Sequence, residues 1–179
     1  EKLETAARSN LAADEAAVLL DHLDFLSREQ SLMNRVAEAD APKDVDAWKR
    51  LARRQSGALK EVEAIKALVA ESADHFPDPI FADLNATVAD LETKAASVKL
   101  ALKQDVPGPD LLKTAKLLQA AIGAAASSVR PLARNMADDA SLARAELEED
   151  IGNTHDALSN LRTVLSAQKK ARDDQNGKQ

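Results

Sequence analysis

The chain has 179 residues, of which 45% are hydrophobic, 30% are charged and only 2% are aromatic. This is the composition of a globular domain, and its abundance of Ala and Leu with few aromatic residues favours helices over β-sandwiches and barrels. The net charge of -6 argues against a general nucleic-acid binder, and the absence of Cys excludes disulfides and thiolate metal sites. No apolar run approaches the roughly 18 residues of a membrane span.

The first predicted helix covers about residues 2–39 and carries two apolar stripes at helical spacing. One stripe consists of Leu19, Leu23, Leu26, Gln30, Met33 and Ala37, and the other of Val18, His22, Phe25, Glu29, Leu32 and Val36. Together the two stripes make a face wide enough to pack against two neighbouring helices. The sequence begins inside this helical pattern without a capping residue, so we expect an excised piece of a longer protein.

Three further helices follow, separated by Pro-containing breakers. The breaker at 40–44 precedes a helix predicted over about 44–74, and the segment 75–79 precedes one over about 79–104, capped by Asp78. The strongest breaker, 106–109, precedes a helical pattern from about 110 to 170 that contains Pro131. The apolar pattern keeps the same helical phase on both sides of Pro131, which favours a kink over a loop there.

These segments predict an all-α fold, namely an elongated antiparallel four-helix bundle whose last helix is kinked or split at Pro131. We expect one bundle domain over residues 1–172 and a disordered polar tail over residues 173–179.

Catalytic and metal-binding patterns are absent from the sequence. None of the three His residues follows a Glu at the spacing of di-iron bundles, and there is no nucleophile elbow or Gly-rich phosphate loop. His22 and His155 are the one pair that a bundle would bring together around a metal or haem, but separate surface or half-buried His residues are the simpler interpretation. We therefore expect no enzyme, no cofactor and no metal.

The most informative stretch is 27–39, which places a Gln in an apolar stripe. A polar side chain at a core position destabilises a bundle unless it finds a partner, so Gln30 either sets the helix register or contacts a ligand. Arg28 and Arg35 lie two turns apart on one side of the helix, and Asn34 lies one turn beyond Gln30. Since the Arg fork suits carboxylates and other oxyanions, a pair of such helices in a dimer could present Arg28, Gln30, Asn34 and Arg35 to a small polar or anionic ligand. From the spacing alone, solvated Arg side chains and a Gln30 that sets the helix register are the simpler interpretation.

This stretch resembles the signature G-R-Q-R-M-L-S-Q-R-I-A of bacterial sensor domains in type IV pilus chemoreceptors and nitrate/nitrite sensor kinases. Aligned without gaps, Arg28, Leu32, Arg35 and Ala37 match the signature, and Asn34 and Val36 replace similar residues. Gln30 stands at the second Arg of the signature, the residue that is expected to hold the anion at the dimer interface of nitrate sensors. The resemblance covers about a dozen residues. It implies a sensor domain, but the Gln in place of the second Arg argues against nitrate as its ligand.

The resemblance implies the periplasmic, ligand-sensing part of an inner-membrane receptor, either a chemoreceptor or a sensor kinase. It implies a small polar or anionic ligand with Arg28, Gln30, Asn34 and Arg35 as the predicted ligand-binding residues. It also implies a homodimer in the full receptor, no nucleic acid, and membrane contact only through flanking helices. The alternative is a structural or protein-interaction bundle, because Ala-rich bundles of this length resemble the vinculin and talin rods. A complete coiled-coil protein associated with granules or secretion is a third option.

Overall fold

A computed structural model describes residues 1–39, 45–103 and 109–176 of the chain. Within these residues the fold is entirely helical, with α1 (Lys2–Ala39), α2 (Val45–Glu71), α3 (Asp78–Ala101) and α4 (Pro109–Asn176). The four helices pack together as a bundle, in which α1 contacts α2 and α4, and α3 contacts α2 and α4. The predicted all-helical bundle is therefore confirmed, while the predicted breakers at 40–44 and 106–108 lie outside the described residues.

One shared hydrophobic core joins the four helices. Its members recur every three or four residues, so each helix turns one side inward and leaves its charged residues in solvent. The largest fully buried side chains in this core are Leu23, Leu26, Met33, Val62, Ile65, Val69, Leu91, Val98, Leu118, Ile122 and Val129. The α1 side of the core is rich in small residues near its N-terminal end, where Ala12 and Ala16 are buried.

The connection between α2 and α3 is short and is anchored by Phe76, which is buried in the core. The hydroxyl of Ser72 donates to the carbonyl oxygen of Leu68 over 2.8 Å at the end of α2. Helix α3 begins at Asp78 with Pro77 as its N-cap, and no side chain caps it. The predicted cap at Asp78 is thus one residue off. The Asp78 carboxylate lies inside the first turn of α3, where its negative charge interacts favourably with the positive end of the helix dipole.

Helix α4 runs without interruption through Pro131. Pro131 lies on the exposed side of the helix, where the carbonyl oxygen that loses its intrahelical partner can be hydrated. The split form of the last helix is therefore excluded, and α4 is a single rod about 102 Å long at about 1.5 Å per residue.

The far end of α4 has no helical neighbour among the described residues. Every residue from 151 to 170 is exposed, and we call this stretch of about 30 Å the overhang. The last contact before it is an ion pair of 2.6 Å between Lys2 and Asp150, which raises the pKa of Lys2 through the hydrogen bond and the attraction of the carboxylate. Helix α4 continues to Asn176, so the predicted tail 173–179 begins inside it, and residues 177–179 lie outside the described part.

No described helix combines the length and the hydropathy that crossing a bilayer requires.

Candidate functional site

The predicted ligand-binding residues lie on two different sides of α1. Gln30 and Asn34 are buried inside the bundle, whereas Arg28 and Arg35 are exposed on its outer surface. The separation follows from helix geometry, because residues two apart point about 200° away from each other. The four side chains therefore do not form one pocket, although each of the two pairs remains together.

The buried pair belongs to a layer of four amides, formed by Gln30, Asn34, Gln55 and Gln119. The Nε2 of Gln55 donates to the Oε1 of Gln30 over 2.8 Å, and the Nε2 of Gln30 donates back to the Oε1 of Gln55 over 3.1 Å. The Nε2 of Gln30 also donates to the Oδ1 of Asn34 over 3.0 Å. The Nδ2 of Asn34 then donates to the Oε1 of Gln119 over 2.6 Å.

This amide layer connects three helices through the predicted site, since Gln55 lies on α2 and Gln119 on α4. Gln30 is fully buried and Gln55 is nearly so, and each satisfies the other, which removes most of the desolvation cost of burying an amide. The four amides thus donate to and accept from one another within the layer. Such a layer also fixes the relative register of helices, because a one-turn slip leaves buried amides without partners.

Sequence reasoning missed Gln55 and Gln119 as members of this layer. Gln55 stands in the apolar stripe of α2 just as Gln30 does in α1, and two polar residues in facing stripes are a usable signal. Gln119 gives no such signal, because it is half-buried at the edge of the α4 stripe.

Polar contacts along the length of α1 and α4 hold the two helices together. Besides Lys2 with Asp150, the guanidinium of Arg130 binds both carboxylate oxygens of Asp24, over 2.8 and 3.1 Å. The guanidinium of Arg144 donates to the side-chain oxygen of Asn10, over 2.8 Å. Near the other end, Lys116 pairs with Glu38 at 2.5 Å. Most of these pairs are exposed, so each adds little stability and serves mainly to set which residues of α1 lie beside which residues of α4.

The His residues lie apart from one another. His22 pairs with Glu61, and His75 pairs with Glu15 over 2.7 Å, so both link α1 to α2 or to the turn that follows it. The second carboxylate oxygen of Glu15 is buried without a hydrogen-bond partner. His155 lies in the overhang, far from His22, and the considered pairing of these two around a metal or haem is therefore wrong.

No cluster of three or more metal-ligating side chains occurs among the described residues. The exposed pair Arg28 and Arg35 remains as the part of the predicted site that a molecule can reach from solvent. Two guanidiniums about 10.5 Å apart along one helix face can bind an anion by bidentate hydrogen bonds, either singly or at the two ends of a longer ligand.

Comparison with protein-family models found no matching family. The searches of curated proteins and of solved structures found no match either.

Proposed function

We propose that this chain is the extracytoplasmic ligand-sensing domain of a bacterial transmembrane signalling receptor, either a chemoreceptor or a sensor kinase. The observation that carries the proposal is the placement of Arg28 and Arg35, which are both exposed on the outside of α1 within the stretch that resembles the receptor signature. Inside the bundle, the same stretch contacts α4 through Asn34 and Gln119. A ligand on the surface and a signalling helix are thus joined by two turns of α1.

The ligand of this receptor is a small polar or anionic molecule. Arg28 and Arg35 supply charge-assisted hydrogen bonds to it, while Gln30 and Asn34 respond to its binding through the amide layer. A ligand held between the helices would have to open that layer, so binding on the outer face or across a homodimer interface costs less free energy.

Signal transmission uses the displacement of α4. We propose an antiparallel arrangement of the helices, which the polar pairs between α1 and α4 support. Lys2, Asp24 and Glu38 follow one another along α1, while their partners on α4 come in the reverse order, from Asp150 through Arg130 to Lys116. A small shift of α1 would then displace α4, and the backbone hydrogen bond missing at Pro131 would let the ligand-binding part of α4 bend relative to its distal part. The two states of this switch would differ in the hydrogen bond between Asn34 and Gln119.

In the full receptor the domain is a homodimer on the periplasmic side of the inner membrane. Membrane contact occurs through flanking helices, and the overhang leads α4 toward the membrane. Enzymatic activity, a cofactor and nucleic-acid binding are not part of the proposal.

A structural or protein-interaction bundle is the second candidate, favoured by a different observation. The overhang exposes Ile151, Leu158, Leu161 and Leu165, which recur at steps of seven, three and four residues along one side of the helix. Such a stripe suits a partner helix of matching apolar pattern. This candidate requires no small ligand.

The two candidates separate in a thermal-shift screen of the chain against small anions, carboxylic acids, amino acids and amines. A ligand at a hundred times its dissociation constant adds about 2.7 kcal/mol to the free energy of unfolding. The receptor proposal expects a hit that both Arg28→Ala and Arg35→Ala abolish, while the exposed control Arg53→Ala on α2 keeps it. A hit that survives both variants contradicts the proposed site, and a screen without any hit favours the second candidate.

A further inference from the structure

The outer face of α1 carries an apolar strip with a strict seven-residue spacing. Leu11, Val18, Phe25 and Leu32 make up this outer strip, and all four are exposed. Phe25 is the most exposed of them, at 54% of its surface. Seven residues are close to two helical turns, so the four side chains form one nearly straight row that drifts by about 20° per step.

A row of charges runs beside the outer strip, and its order is unusual. Asp14, Asp21, Arg28 and Arg35 form this charged row, each three residues after a member of the outer strip. All four are exposed, and none is in an ion pair or hydrogen bond with another described residue. The row is therefore acidic toward the N-terminal end of α1 and basic toward its C-terminal end.

This order is complementary to itself when a second copy is turned end for end. A two-fold axis at right angles to α1, passing between positions 24 and 25, exchanges position 21 with 28 and position 14 with 35. Each Asp of one copy then meets an Arg of the other, which gives four ion pairs along one edge. Two copies side by side in the same direction, related by an axis along the helices, would instead place the two charged rows on opposite edges of the contact and form none of these pairs.

The same axis passes close to Phe25, next to an open groove of about 370 Å³. The groove is lined by Val18, Asp21, His22, Phe25 and Glu61, at the boundary of α1 and α2. An end-for-end copy places its own Phe25 over this groove, because position 25 lies within one residue of the axis. The largest exposed apolar side chain of the strip and the concave part of the surface thus meet at the centre of the contact, as in a symmetric interface.

We propose that the chain in solution forms an antiparallel homodimer through the outer face of α1, with Phe25 of each copy in the groove of the other. The inference goes beyond the proposed function and does not depend on it. In this dimer Arg28 and Arg35 form ion pairs with Asp21 and Asp14 of the second copy, so an anionic ligand at the proposed site competes with that pairing. Two receptor chains anchored in one membrane run in the same direction, so this dimer belongs to the chain free of its membrane.

The contact is small, which sets the expected strength. The charged row is about 32 Å long and a helix is about 10 Å wide, so the α1 face offers on the order of 300 Å² per copy. Stable interfaces bury about 800 Å² per partner. We therefore expect a reversible dimer in exchange with the monomer, with a dissociation constant in the micromolar range or weaker.

The first test is sedimentation equilibrium of the chain over a wide range of concentrations. The proposal expects a dimer whose dissociation constant rises at least tenfold in Phe25→Ala. The control Leu100→Ala, which truncates a still more exposed apolar residue on α3, should leave it unchanged. Raising the salt concentration from about 50 to 500 mM should weaken the dimer several-fold, because the rim pairs are screened. A chain that stays monomeric at millimolar concentration, or a dimer insensitive to Phe25→Ala, overturns the proposal.

The second test measures the direction of the two chains by single-Cys cross-linking. The chain contains no Cys, so Asp21→Cys and Arg28→Cys each introduce a unique thiol at an exposed position. The proposal expects the mixture of the two variants to form the 21-to-28 disulfide faster than either variant alone forms its own. Faster 21-to-21 and 28-to-28 disulfides would show a parallel dimer and overturn it.

Failure of this inference and failure of the proposed function give different results. The dimer is measured without any ligand, and the ligand screen uses the thermal shift of Arg28→Ala and Arg35→Ala, which remove charges from the row without removing Phe25. A ligand hit in a strictly monomeric chain would keep the proposed function and reject the dimer, and an antiparallel dimer without any ligand hit would do the reverse.

Discussion

The two parts of α4 carry the same apolar pattern but differ entirely in burial. Between Leu111 and Ala140 the helix buries a residue in nearly every turn against its neighbours, with Leu118 and Ile122 fully buried. In the overhang, Ile151, Leu158, Leu161 and Leu165 continue at the same spacing, yet each exposes more than half of its surface. The comparison teaches that periodicity specifies which side of a helix is apolar, while burial depends on whether other helices are present at that level.

The largest expected effect is on the free energy of unfolding, when one apolar side chain is truncated to Ala in each part of α4. Ile122→Ala should lower the free energy of unfolding by about 2–5 kcal/mol, because it leaves a cavity in a packed core. Leu158→Ala in the overhang should change it by less than about 0.5 kcal/mol, because no contact and no buried area are lost. Urea denaturation followed by circular dichroism measures both values.

A large loss of stability in Leu158→Ala would contradict the difference in burial between the two parts of α4. It would mean that the overhang is covered in solution, by a second copy or by another part of the chain. Leu142→Ala serves as the matched control, because Leu142 is also exposed on α4 but lies at the level of the bundle.

A medium effect is expected in the amide layer, which tests whether a buried polar contact differs from the apolar core around it. Gln30→Leu keeps the volume of the side chain but leaves the Gln55 amide buried without its partner. We expect it to lower the free energy of unfolding by about 1–3 kcal/mol. The double variant Gln30→Leu/Gln55→Leu removes both amides and should recover most of that loss.

The stability of the double variant relative to Gln30→Leu shows which role the amide layer has. Recovery in the double variant means that the layer selects one helix register rather than adding stability, which is the role expected of polar residues in a bundle core. If the double variant is less stable than the single one, the amides contribute net stability of their own. Heteronuclear NMR spectra of the double variant, with doubled or broadened signals from α1 and α2, would reveal a loss of unique register.

Much of the fold followed from the sequence because helical spacing and Pro breakers are local signals. The extent of α1 was predicted to the residue, and the bounds of α2 and α3 differ from the prediction by one to three residues. The continuity of α4 through Pro131 was less accessible. Whether a Pro ends a helix depends on the packing of the turns on both sides, and here both sides belong to one long rod.

The site was only partly predictable, for a reason that Gln30 and Arg28 make plain. Both belong to the signature-like stretch, but a helix turns them to opposite sides, so a linear motif cannot say which residues share a surface. Gln30 was recognised as unusual from its place in an apolar stripe. Gln119, the partner of Asn34 in the same layer, lies 85 positions further along the chain, and no periodicity reveals such a long-range contact.

The smallest expected effect lies where the two parts of α4 meet, at the ion pair of Lys2 with Asp150. The pKa of Lys2 is raised above the ordinary value of 10.5, first by the hydrogen bond to Asp150 and then by the attraction of that carboxylate. The folded chain therefore keeps the Lys2 proton at a pH where the unfolded chain releases it. Stability from this pair is complete below pH 10.5 and falls as the pH rises through the folded pKa.

Because the pair is exposed, we expect the change to be confined to the first turn of α1 and to leave the unfolding of the bundle almost unaltered. An NMR titration of the lysine Cε signals, with Lys2 assigned through Lys2→Arg, should give Lys2 a midpoint above its ordinary pKa value of 10.5. Asp150→Asn should return that midpoint to the ordinary range. A Lys2 signal that titrates at the same pH in the unaltered chain and in Asp150→Asn would mean that α1 and α4 already separate at this level, and that the overhang begins nearer to the Arg144 contact with Asn10.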